Sequence, residues 1–183
     1  MELGVVAPLL AFVILALFFL LFLRRAGRLI AASRDADRFR RQIADMAARA
    51  DTSLGEICGR IDAVRRGQLS AAAITDDMTA SLDATARYAE EARAIRAPRD
   101  SEVLLREIVG ELERAARALE MVEHGCAIQA SARAGSRELE AQTAIKRGYL
   151  NVLHAREAIA RHALEAATLV PGDPDRRAAR PNA

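Results

Sequence analysis

Three histidines of this sequence could carry chemistry, because each lies three or four residues from a glutamate and would share a helix face with it. The pairs are His124 with Glu120, His154 with Glu157 and His162 with Glu165. Imidazole and carboxylate groups bind transition metals, and an exposed histidine can accept a phosphoryl group. A histidine-using signalling or metal-binding helical bundle is therefore one hypothesis for this chain.

The order of these pairs argues against a metal centre. Di-iron bundles use Glu-x-x-His on two helices and a further glutamate on each of two others, all pointing inward. The two later pairs run in the reverse order, and His154 and His162 share a largely polar face with Arg161 and Glu165. We expect that face to be solvated, and we assign no metal and no cofactor.

The two cysteines are the remaining reactive side chains. Cys126 falls on an apolar helical stripe and Cys58 borders one, so we expect both thiols to be small buried hydrophobic groups. No Ser/His/Asp or Cys/His arrangement can be assembled, and no Gly-rich turn follows a strand to hold phosphate. The sequence therefore predicts a protein that is not an enzyme, and it identifies no small-molecule substrate.

Positive charge is concentrated in one short segment, residues 24–41, which carries a net charge of +5. Its seven arginines are Arg24, Arg25, Arg28, Arg34, Arg38, Arg40 and Arg41. Basic residues beside a bilayer attract anionic lipid, at about 1 kcal/mol each near the surface. A sensor of anionic lipid surfaces is thus a further alternative function, although the same arginines also suffice to fix membrane topology.

The arginine cluster directly follows an apolar stretch. Residues 3–23 contain 19 apolar residues and no charge, and about 20 helical residues match the ~30 Å hydrocarbon core of a bilayer. We expect a single transmembrane helix over 3–23. Because the arginines follow it, the positive-inside rule places the N-terminus outside and the rest of the chain in the cytoplasm, at the inner or plasma membrane.

Nucleic acid is not an expected partner. Beyond residue 41 the chain has 20 basic and 22 acidic residues, and residues 24–183 contain three aromatic side chains, too few for a stacking platform. A protein partner is more in keeping with the sequence. The densest group of functional side chains in the last predicted helix gives a candidate interface, namely Arg147, Tyr149, Asn151 and His154.

The elements that position these side chains are helices. Apolar residues recur at intervals of three and four over 39–64, 74–95, 105–126 and 139–166, with Arg156 on or beside the last stripe. Breakers accompanied by N-cap residues separate the stripes, and these breaks fall at Gly67 before Ser70, at Ala97-Pro98-Arg99-Asp100 and at Gly135-Ser136. The predicted helices span 24–66, 70–96, 100–134 and 136–169, followed by a disordered tail over 170–183.

Three glycines inside these helices carry separate expectations. Gly125 could end the third helix early, because glycine costs roughly 1 kcal/mol relative to alanine in a helix interior. Gly55 and Gly59 lie four residues apart in the first cytoplasmic helix. That spacing would allow the backbone of a neighbouring helix to approach closely, and an ordinary weak point in the helix is an equal alternative.

The predicted fold is all-α: one N-terminal transmembrane helix followed by long cytoplasmic helices in an antiparallel bundle or hairpin array. The predicted function is that of a membrane-anchored scaffold or adaptor that acts through a protein partner or a second copy of itself. The histidine-using bundle and the lipid sensor remain the alternatives.

Overall fold

The computed structural model describes residues 3–131 and 137–168, except for the side chains of residues 3–14, 16 and 26–30. It contains four α-helices: α1 (Leu3–Arg65), α2 (Thr75–Ala94), α3 (Glu102–Ser131) and α4 (Glu138–Ala167). Two short 3-10 helices, Ala71–Ile74 and Arg99–Ser101, lead into α2 and α3. The described residues contain no strand, so the all-α prediction is confirmed. The predicted break at Gly135–Ser136 and the predicted tail, 170–183, lie outside the described residues.

Helix α1 is continuous over 63 residues, about 95 Å at 1.5 Å per residue. The apolar stretch and the first helix of the bundle are thus one element. A search of the described residues finds no helix that is both long enough and apolar enough to cross a bilayer. The predicted span over 3–23 rests largely on side chains outside that described part.

The turn after α1 depends on a glycine. Gly67 has φ +70°, a left-handed conformation that side chains with a Cβ rarely adopt. This geometry lets the amide of Gly67 donate to the carbonyl of Val64 at 3.0 Å and that of Gln68 donate to Ala63 at 2.8 Å, which satisfies the last carbonyls of the helix. The chain therefore reverses here, as the glycine predicts.

The four helices form an up-down bundle in which each contacts its sequence neighbours, and α4 also contacts α1. Paired residues run in opposite directions along each contact, so neighbouring helices are antiparallel. The contacts are Arg60 with Asp77 and Arg49 with Glu91 between α1 and α2, Arg93 with Glu113 between α2 and α3, and Asp51 with Arg156 between α1 and α4.

The core consists of the predicted stripes with one correction. Phe39, Ile43, Ile108 and Leu112 are at most 1% exposed, as their three- and four-residue spacing predicts. Leu139, by contrast, is 77% exposed. The buried stripe of α4 starts at Ala141 and continues through Ile145, Gly148, Val152, Ala155 and Ile159. Leu139 lies two positions before Ala141, about 200° around the helix, and so faces solvent.

The closest helix contact joins α3 and α4 at two glycines. A Cβ on Gly125 would lie 2.9 Å from the carbonyl oxygen of Ala141, and one on Gly148 would lie 2.7 Å from that of Ala118. Gly125 is buried within α3, which continues to Ser131. The alternative that this helix ends early at Gly125 is therefore wrong: the glycine allows close packing and does not break the helix.

The predicted close backbone approach at Gly55 and Gly59 is also wrong. A Cβ on Gly59 would have nothing within 4 Å, whereas one on Gly55 would meet the guanidinium of Arg156 at 3.2 Å. What Gly55 accommodates is thus a side chain of α4. That guanidinium is held over the glycine by the carboxylate of Asp51.

Candidate functional site

The candidate site lies at one end of the bundle, which we call the basic end: residues 32–42 of α1 and residues 94–102 of the connection between α2 and α3. Because α1 and α2 are antiparallel, the end of α2 returns to the point where α1 enters the bundle. This geometry brings Arg96 and Arg99 beside the predicted arginine cluster. Neither arginine is among the site residues predicted from the sequence. Both flank Pro98, in the turn between the second and third predicted helices, and in an up-down bundle this turn lies at the same end as the start of the first helix.

A cleft of about 580 Å³ opens between these two segments. We call it the arginine cleft. Its accessible apolar lining consists of small residues, namely Ala32, Ala94, Ala97 and Pro98, whereas Phe39 is 1% exposed and belongs to the core. Its charged lining consists of Arg38, Arg40, Arg96, Arg99, Asp35 and Asp100. The cleft therefore combines an apolar floor with a net positive rim.

The arginines of the cleft differ in how far they are neutralised. Arg38 lies 3.7 Å from Asp35, and Arg40 pairs with Asp37 one helical turn away. Arg96 and Arg99 are exposed and have no ion pair or side-chain hydrogen bond to any described residue. These two guanidinium groups keep their donors available to a ligand.

The rest of the predicted arginine cluster lies along the exposed side of α1. Arg24, Arg25, Arg34 and Arg41 are all exposed, and the side chain of Arg28 lies outside the described residues. Leu15 and every residue from Leu17 to Leu23, which precede this segment, are also exposed, with Phe18 at 72% and Leu20 at 54%. A basic segment thus separates an uncovered apolar helix from the bundle.

The predicted interface on α4 is divided by the structure. Arg147, Asn151 and His154 are exposed and share one face of the helix. Tyr149 is half-buried, and the guanidinium of Arg65 lies 4.5 Å from the centre of its ring. That distance is typical of a cation–π contact, so Tyr149 serves packing between α1 and α4.

The predicted solvation of the two late histidines is right for His154 and wrong for His162. The side chain of His162 is 15% exposed, and its Nδ1 is 3.8 Å from Oε2 of Glu107 on α3 and 3.9 Å from that of Glu165. These distances are too long for hydrogen bonds, and Nδ1 is buried without a hydrogen-bond partner. The reason is that α4 packs against both α1 and α3, so two of its faces are covered.

Among the described residues, no group of three or more His, Cys, Asp or Glu side chains is arranged so that it could hold a metal ion. His124 and His154 are exposed on different helices. In the pair that contains His162, the histidine lies near Glu107 of a second helix.

The known proteins supply no identification. No protein-family model matches the chain, and neither a curated protein nor a solved structure matches it. What this protein does is therefore inferred from its own residues.

Both cysteines are buried, as predicted. Burial raises the pKa of the Cys58 thiol to about 11, although the positive charge of Arg156 acts in the opposite direction. Burial also raises the pKa of Cys126, and the negative charge of Glu123 adds to that effect. Both thiols are thus protonated at neutral pH, and protonated thiols are poor nucleophiles.

Proposed function

We propose that this protein is a single-pass membrane-anchored scaffold whose helical bundle acts on the cytoplasmic side through contacts with a protein partner. The observation that supports the anchor is the apolar part of α1. From Leu17 to Leu23 every side chain is more than half exposed, so the apolar surface extends around the whole helix. A helix that is apolar on all sides is stable only where lipid or protein covers it.

Continuity of α1 supports a mechanical role for the anchor. The apolar stretch and the core residues Phe39 and Ile43 belong to the same uninterrupted helix. A bundle held in this way stands above the membrane on a stiff connection, with the arginines at its base. The arginine-rich flank on the C-terminal side of the stretch favours a cytoplasmic bundle.

The scaffold part of the proposal is supported by the outer surface of α4. Arg147, Asn151 and His154 are exposed, and arginine is among the residues enriched where proteins bind each other. The core positions around them are filled by alanine, valine and isoleucine. A solvent-facing polar surface on a packed helix suits recognition by another protein better than it suits covalent chemistry.

The anchor is tested by membrane fractionation of cells expressing the full chain. We expect the protein to stay in the membrane after alkaline carbonate extraction, and Leu20→Arg combined with Leu21→Arg to release it into the soluble fraction. A matched double variant, Leu150→Arg with Leu164→Arg, changes exposed leucines of α4 and should leave the protein in the membrane. Extraction of the unaltered chain by carbonate would contradict the anchor.

The partner surface is tested by photocrosslinking in cells from residue 151, with residue 83 on the exposed side of α2 as the control position. We expect a discrete crosslinked species from Asn151 that is lost with Arg147→Glu and is not obtained from Asp83. The same products from both positions would contradict a specific surface on α4.

A further inference from the structure

The arginine cleft has the composition of a site for a negatively charged amphiphile. Ala32, Ala94, Ala97 and Pro98 provide exposed or half-buried apolar surface, and four guanidinium groups line the same cleft. Ordinary solvated helix ends present charge without such a floor. A ligand that satisfies both parts must carry an apolar portion next to an anionic group.

The donors that would meet the anionic group are identified by their lack of internal partners. Arg38 and Arg40 each have an aspartate within one turn of α1. Arg96 and Arg99 have neither an ion pair nor a side-chain hydrogen bond within 3–131 and 137–168. Because a guanidinium presents paired N–H donors in one plane, two such groups match the oxygens of a phosphate.

The position of the cleft along α1 brings it near a bilayer, if α1 is the anchor proposed above. Ala32, at the edge of the cleft, lies nine residues beyond Leu23, about 14 Å along the helix axis. The headgroup layer occupies roughly 5–7 Å of that distance. The remaining gap, about 7–9 Å, is comparable with the Debye length at physiological salt, about 8 Å.

From this combination we propose that the arginine cleft binds the phosphate group of an anionic amphiphile, with Arg96 and Arg99 as its principal ligands and with its apolar portion against Ala97 and Pro98. The phosphate can belong to a lipid headgroup or to a free phosphorylated molecule. Binding of a headgroup rests on the proposed membrane anchor, whereas binding of a free phosphate does not.

The test uses the full chain in nanodiscs and in neutral detergent. In the first arm, nanodiscs contain phosphatidylcholine with one fifth phosphatidylglycerol, and native mass spectrometry measures the phosphatidylglycerol retained after extraction into detergent. In the second arm, calorimetry measures binding of glycerol 3-phosphate to the protein in detergent. We expect Arg96→Gln combined with Arg99→Gln to reduce binding at least fivefold in whichever arm the unaltered chain shows binding.

The control removes the same charge elsewhere. Arg87 and Arg117 are exposed and lie outside the cleft, so Arg87→Gln with Arg117→Gln should keep binding within twofold of the unaltered chain. Retention of phosphatidylglycerol alone identifies a lipid headgroup as the source, and saturable binding of glycerol 3-phosphate identifies a free phosphate. Binding in neither arm, or equal losses in both double variants, overturns the proposal. Failure to enter nanodiscs contradicts the anchor, and the detergent arm still tests the cleft.

Discussion

The guanidinium of Arg156 donates two hydrogen bonds to the carboxylate of Asp51, with Nε 2.6 Å from Oδ1 and Nη2 3.1 Å from Oδ2. The pair joins α4 to α1 across 105 residues of sequence. It also fixes the register of the two helices, because Gly55 provides the space in which the guanidinium lies. A two-point contact of this kind specifies orientation as well as charge.

The first prediction concerns this pair and acid. The hydrogen bond from Arg156 lowers the pKa of Asp51 below its ordinary value of 3.8. A depressed folded-state pKa contributes stability that is present above pH 3.8 and lost as the pH falls through the folded value. Asp51→Asn should therefore cost about 0.5–1 kcal/mol at pH 7, the range for half-exposed pairs, and the difference from the unaltered chain should shrink below pH 4.

The measurement is urea unfolding of the full chain in neutral detergent, followed by circular dichroism at pH 7 and pH 3. Asp83→Asn is the control, because Asp83 is exposed and has no ion pair to a described residue. An Asp51→Asn penalty that stays constant between pH 7 and pH 3 would show that the carboxylate charge is not the source of the stabilisation.

The second prediction concerns the two glycines of the α3–α4 contact. Gly125→Ala or Gly148→Ala would place a Cβ within 3 Å of a carbonyl oxygen on the facing helix, so the helices must separate. We expect each substitution to lower the free energy of unfolding by about 1–3 kcal/mol. Gly59→Ala is the control: it has open space around it and should be neutral or stabilising by up to about 1 kcal/mol. Equal effects at all three positions would contradict the close contact.

The third prediction concerns the thiols. Because Cys58 and Cys126 are at most 7% exposed and burial raises the pKa of each, a disulfide reagent at pH 8 should modify them at least tenfold more slowly in the folded chain than in 6 M guanidinium. The raised pKa of Cys58 favours the folded state below pH 9, and this contribution is lost as the pH rises towards 11.

Two variants that each keep one cysteine, Cys58→Ala and Cys126→Ala, give the modification rate of each thiol separately. A third variant, Ala127→Cys, adds an exposed cysteine to α3 and should react at once. Rapid modification of Cys58 in the folded chain would contradict its burial against α4.

The fourth prediction separates two residues that the spacing placed on the same stripe of α4. Ile145 is 3% exposed and Leu139 is 77% exposed. Ile145→Ala should therefore cost about 2–4 kcal/mol, whereas Leu139→Ser should change the free energy of unfolding by less than about 0.5 kcal/mol. Thermal unfolding of the two variants against the unaltered chain measures both. A larger loss from Leu139→Ser than from Ile145→Ala would show that Leu139 is buried, as the spacing predicts.

Sequence periodicity predicted the core well wherever large apolar residues repeat over several turns. The apolar positions from Phe39 to Val64 are an example. Their spacing matches the helical period, so all of them lie on the one side of α1 that packs against the other helices. Prediction was weaker in α4, where alanine and glycine form the buried stripe. Small residues carry little hydropathy signal, so the predicted stripe began at the exposed Leu139 and not at Ala141, although its later members Ile145, Val152 and Ile159 are buried.

Residue types and their spacing were sufficient to determine that this chain is helical and that apolar, basic and mixed segments follow one another along it. Those properties depend on local backbone preferences and on a period of 3.6 residues. Only the tertiary structure decided which helices meet: that Arg96 and Arg99 join the arginines of α1, that Arg156 reaches Asp51, that Gly125 is a contact and that His162 is covered. Contacts of this kind depend on the register and rotation of one packed helix relative to another. The order of residues along a single helix does not specify that register or rotation.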